Sequence, residues 1–91
     1  MKSIMQDKEE CYITHDTYNL HCHHVCEGRN RNNSEKYGLK VWLRGDYHNQ
    51  SNYGVHFNKE LDLKLKREAQ QKFIEKYPDL DFTDIFKINY L

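Results

Sequence analysis

The sequence predicts an α+β fold, and three observations carry that reading. Leu61, Leu65, Ala69, Phe73 and Tyr77 recur every four residues, the stripe of an amphipathic helix. Leu39-Lys40-Val41-Trp42-Leu43 alternates apolar and polar, the period of a half-buried strand. Two short runs, Cys11–Ile13 and Leu20–Val25, flank turn material at His15-Asp16-Thr17 and read as a small β-hairpin.

Taken in order, residues 1–10 are polar and predict a flexible N-terminal segment, leaving 11–91 as a single domain. The hairpin follows. Residues 26–38 are rich in Gly, Asn and Arg and predict a loop of the functional kind. The strand at 39–43 comes next, ended by Gly45 and Asp46, and 46–54 are polar and turn-prone. Asn58 is suited to cap the long helix, with Leu61 opening its apolar face. Pro78 disfavours helical geometry at Tyr77 and stops it. Asp79 or Asp81 can then cap a second short helix carrying Phe82, Ile85 and Phe86. The expected order is β-β-loop-β-helix-helix.

Composition narrows the function classes. At 91 residues the chain supports one domain with a thin core. Mean hydropathy is low at -1.05, but 13% aromatic residues argue against general disorder. No segment approaches the roughly 20 apolar residues of a membrane span. The opening MKSIMQDKEE lacks the apolar run of a signal peptide, so a cytoplasmic protein is expected. Lys and Arg total 14, as do Asp and Glu, so no global field draws the chain to nucleic acid. Three cysteines cannot pair completely within one chain.

The chemistry concentrates between residues 21 and 61. His23 and His24 close a strand, a polar loop and another strand follow, and His48 and His56 precede the long helix. A metal-dependent phosphodiesterase needs side chains that hold a divalent cation and a neutral histidine that takes a proton from water. Neighbours on a strand point to opposite faces, so His23 and His24 can divide those tasks. His48 and His56 can complete the cation site from the helix side.

These residues resemble the HNH (His-Me finger, ββα-metal) endonucleases, and more closely a small phage and prophage family of that type. The matching pieces are His23-His24, Ser34 to Leu39, His48-Asn49, Ser51-Asn52, Gly54 to Leu61 and Ile85 to Leu91, within 11–91. The resemblance implies a compact ββα-metal finger with two C-terminal helices and metal-dependent hydrolysis of DNA phosphodiester bonds. It makes His24 the general base and His23 and His48 metal ligands, with Asn52 or His56 as the third. The ion would be Mg, Mn, Ni or Zn. Asn32 and Asn33 lie too far upstream to match the central Asn of the motif.

The family often carries a structural zinc knuckle. Here its halves fall on residues 11–14 and 44–47, where Cys11 alone remains of the ligands, so structural zinc is expected to be lost. Cys22 and Cys26 with Cys11 and His21 form an alternative zinc set, against the plainer reading of small buried residues. Arg29, Arg31, Lys36 and Arg44, with Lys40, are candidates for phosphate or partner contact, against an ordinary solvated loop. Arg44, at a lost ligand position, can reach a phosphate or a partner carboxylate, or merely solvate the surface. The second functional reading is a non-catalytic HNH scaffold that binds a protein or nucleic acid. A phage counter-defence factor such as an anti-CRISPR inhibitor, acting on a host defence protein, fits its size and neutral charge. The apolar stripe of the long helix is core, or a homodimer seam where exposed.

Overall fold

Two short strands, Leu20–His24 (β1) and Lys40–Arg44 (β2), pair antiparallel in the computed structural model, which describes residues 1–91. The register sets Leu20 opposite Arg44, Cys22 opposite Trp42, His23 opposite Val41 and His24 opposite Lys40. The connection between them holds a 3-10 turn, Gly28–Asn30, and a helix, Arg31–Tyr37 (α1). After β2 come one helical turn, Gly45–His48 (α2), a 3-10 turn, Val55–Phe57, the 18-residue helix Lys59–Lys76 (α3) and a short helix, Phe82–Phe86 (α4). The α+β architecture predicted from the sequence is present, and no helix is long and apolar enough to cross a membrane.

Two predicted elements differ. Cys11–Ile13 is not a strand, and β1 pairs with β2 instead. The backbone at 11–16 curls into a turn closed by Cys11 N–H to Asp16 O (2.7 Å) and His15 N–H to Cys11 O (2.8 Å). Positive φ at His15 and Asn19 breaks any extended path to β1. The predicted loop at 26–38 contains α1. That helix is polar, so it carries no apolar stripe to read. It is ended by Gly38 in the left-handed region (φ 74°), whose N–H bonds Ser34 O.

Residues 1–10 are not peripheral to the packing. Met5 is buried in the core, Ile4 N–H donates to Gly38 O (2.9 Å), and Gln6 Oε1 accepts from Trp42 N–H. Tyr12 N–H bonds Trp42 O (2.8 Å), so the free edge of β2 is covered on both its donor and acceptor sides.

The long helix follows its sequence signals. Asn58 Oδ1 accepts from Leu61 N–H (3.1 Å), satisfying one of the orphan donors of the first turn. Leu65, Ala69 and Phe73 are fully buried and share one 13-residue core with Leu39, Val41 and Leu43. Burying a Leu or Phe side chain is worth about 1.5–3 kcal/mol. Helix α4 starts where Asp81 accepts from Asp84 N–H, and sends Phe82 and Phe86 into the same core.

Candidate metal centre

Strand register decides where the histidines go. Residues directly opposite in an antiparallel pair share a face, so His23 lies on the Val41 face, toward the core, and His24 lies with Lys40 on the other. His48 ends α2, a turn anchored by Gly45 N–H to Asn19 O (2.9 Å). His56 sits on the 3-10 turn just before the Asn58 cap, with buried Val55 as its anchor.

Glycine at 54 allows these turns to close. A Cβ there would stand 2.6 Å from His48 O and 2.9 Å from Asp46 O, both backbone atoms that cannot swing away. Gly54→Ala is expected to destabilise the fold by about 1–3 kcal/mol through overpacking and to separate His48 from His56. Thermal melts and metal titration check both; a variant that melts and binds metal like wild type would refute the close-approach argument.

Three imidazoles converge. One ligand nitrogen each from His23, His48 and His56 lie within 4.8 Å of one another. His48 Nε2 and His56 Nε2 are 3.0 Å apart, close to the spacing of two ligands set at a right angle about 2.1 Å from one ion. His21 Nδ1 lies 2.9 Å from His48 Nδ1. A proton on His48 Nδ1 donated to His21 leaves His48 Nε2 as a lone pair, the usual outer partner of a metal-binding histidine. His23 is 2% exposed, and its Nε2 has no hydrogen-bond partner. A buried, unpartnered imidazole nitrogen is costly unless something occupies it. The donor chemistry and the orphaned nitrogen together fit a divalent cation.

Electrostatics keep His23 and His48 neutral. Burial, with repulsion from His48 and His56, pushes His23 down to about 3 from the ordinary 6.5. Burial, with repulsion from His56 and His21, lowers His48 to about 4. Neutral imidazole is the form that ligates. The sign for stability follows. Below pH 6.5 the unfolded chain takes up protons that folded His23 refuses, so the metal-free protein loses stability as pH falls from about 6.5 toward about 3. The slope from His23 is at most about 1.4 kcal/mol per pH unit, with a smaller share from the partly exposed His48. Urea unfolding between about pH 7 and 5, where most carboxylates stay ionised, measures it. His23→Leu should flatten the curve, and a flat wild-type curve would count against a neutral buried His23.

His24 is set apart from the triad. Its Nε2 lies 2.9 Å from Glu35 Oε2, and Lys40 Nζ lies 2.8 Å from the same oxygen. Hydrogen bonds from Lys40 and His24 hold the Glu35 carboxyl below its usual range, so it is an anion facing the imidazole. With Nε2–H donated to Glu35, His24 Nδ1 is left as the basic nitrogen. Glu35 was not among the residues expected from the sequence, although it lies in the Ser34 to Leu39 stretch that carries the resemblance.

The other candidates fall as follows. Asn52 is exposed in the turn before His56. Asn30 and Asn33 tie α1 to the carbonyls of Phe86 and Ile85, a structural task. Arg29 and Arg31 are exposed around the start of α1, and Lys36 lies 5.2 Å from the Tyr37 ring centroid. Arg44 is committed internally. Its guanidinium bonds Asp46 through Nε (2.6 Å) and Nη2 (2.8 Å), pairs with Asp16, and lies over Tyr47 and Tyr18. Tyr53 Oη donates to Asp46 Oδ2 (2.7 Å), and Arg44 with Tyr53 holds that carboxyl well below its usual range. Both carboxylates that Arg44 reaches belong to its own chain, an arrangement the sequence alternatives did not include. Cys11 and Cys26 are buried and Cys22 is exposed, and no cysteine joins a cluster of three ligand atoms. The sulfur of Cys11 accepts from Thr14 N–H (3.5 Å).

No family model, curated protein or solved structure matches this chain.

Proposed function

We propose that this chain is a metal-dependent phosphodiesterase of the HNH, or ββα-metal, type that acts on DNA. The observation that carries the reading is the convergence of His23, His48 and His56 on one point, with His24 next along β1 and oriented by a carboxylate. The finger would consist of β1, β2 and α3, with α1 inserted between the strands. The sequence resemblance across 11–91 supports the same reading.

A divalent cation held by His23, His48 and His56 would supply charge stabilisation for the phosphate and the leaving oxygen. His24 takes the proton from water at Nδ1. Glu35 accepts a hydrogen bond from Nε2–H, which stays on the ring, fixing the tautomer and favouring the imidazolium that forms. Lys40 holds Glu35 in place. Arg29, Arg31 and Lys36 offer exposed cations to the backbone phosphates. The Arg44–Asp16–Asp46 cluster joins the two turns on which the zinc knuckle of the resembled family would fall.

The test is cleavage of plasmid and single-stranded DNA by metal-stripped protein with Mg²⁺, Mn²⁺, Ni²⁺ or Zn²⁺ added back. Cutting that depends on the added ion and is lost in His48→Ala is the expected result. A folded protein that cuts neither substrate with any ion would overturn the nuclease reading and favour the binding scaffold.

A further inference from the structure

A second donor set overlaps the triad. One ligand atom each from His23, Glu27 and Asp62 also lie within 4.8 Å of one another. Glu27 Oε1 is 3.8 Å from His23 Nε2, and Glu27 Oε2 is 3.9 Å from His56 Nδ1. Asp62, in the first turn of α3, accepts at Oδ2 from Lys66 Nζ (2.7 Å). Its Oδ1 is buried without any partner, and the only other such side-chain atom in the protein is His23 Nε2. A cavity of 110 Å³ lined by Glu27, His56 and Asp62 opens beside them, room enough for an ion's waters.

We propose that Glu27 and Asp62 bind the same cation as His23, a step that rests on the metal-site reading above. A neutral imidazole offers one acceptor nitrogen, so His23 Nε2 serves a single ion. The two donor sets share His23, so an ion on that nitrogen is bordered by the other two histidines and by both carboxylates. Two carboxylates also offset a charge that three neutral imidazoles leave uncompensated in a partly buried place. The plain alternative makes Asp62 an ordinary i,i+4 partner of Lys66 on a solvated face. That accounts for Oδ2 and leaves Oδ1 buried with nothing to accept from, a costly arrangement. Mixed nitrogen and oxygen donors suit a first-row transition ion such as Mn²⁺, Co²⁺, Ni²⁺ or Zn²⁺, more than Mg²⁺, which favours oxygen and retains waters.

The test is Co²⁺ titration of the metal-stripped full chain, followed by calorimetry and visible absorption, in wild type, Asp62→Asn, Glu27→Gln and His48→Ala. Both carboxamide variants are expected to bind Co²⁺ roughly 10- to 100-fold more weakly and to change its visible bands as an oxygen donor leaves. Glu27 is 40% exposed, so Glu27→Gln keeps the fold even where Asp62→Asn does not. Wild-type affinity and spectrum in both, with loss in His48→Ala, would overturn the carboxylate proposal and leave the triad standing. Loss in the carboxamides but not in His48→Ala would support the proposal and remove His48 from the centre. No Co²⁺ uptake by wild type would overturn both.

Discussion

His24→Ala is expected to reduce metal-dependent DNA cleavage by roughly 10²- to 10⁴-fold, the usual worth of a positioned general base. Folding and Co²⁺ affinity should not change. The structure separates these effects. His24 lies on the strand face opposite His23, with Glu35 and Lys40 rather than with the ion donors. Truncating it leaves no charge stranded, because Glu35 is 56% exposed and keeps Lys40. Glu35→Gln should cause a smaller loss and shift the pH profile of cleavage, since the anion that favours imidazolium is gone. Cleavage by His24→Ala at the wild-type rate would remove His24 as the base. Loss of cleavage together with loss of Co²⁺ binding would make it part of the ion site instead.

The elements that could be read from the sequence are those whose signal is local. Asn58, the leucine spacing and Pro78 bound α3 because caps and periodicity act within one helix. The short helix, with Asp81 as one of two caps offered, and β2 were legible for the same reason. Helix α1 was not, because its stability comes from outside. Ser34 Oγ accepts from Cys26 N–H, and the N-terminal segment packs on Gly38. Cys11–Ile13 looks extended by composition, but the turn bonds at Asp16 and the contact with Trp42 decide its shape. His23 and His48 were legible through motif spacing, with His56 left as one of two choices beside Asn52. Glu35, Glu27 and Asp62 were not, since a carboxylate on a polar helix or loop looks like solvated surface until register and packing bring it to a histidine.

Phe73→Ala is expected to have the largest effect on stability, about 3–5 kcal/mol. A domain of this length commonly has a total of about 5–15 kcal/mol, so the loss would leave a marginal fold. Phe73 is fully buried and joins three helices. Its ring meets Tyr37 of α1 at 5.3 Å between centroids, and Phe82 and Phe86 of α4 at 5.4 and 5.8 Å. Helix α4 has five residues and cannot persist alone, so its docking depends on that ring. The same helix that carries Phe73 carries Asp62 and begins just after His56. Loosening it should therefore weaken Co²⁺ binding as well, through disorder rather than loss of a donor. Ile74→Ala is the control. Ile74 is 43% exposed one position along, and a surface change there is expected to stay within about 0.5 kcal/mol. Urea unfolding of the metal-free variants decides it. If Phe73→Ala unfolds at the same denaturant concentration as Ile74→Ala, the aromatic cluster does not hold α3 and α4 together.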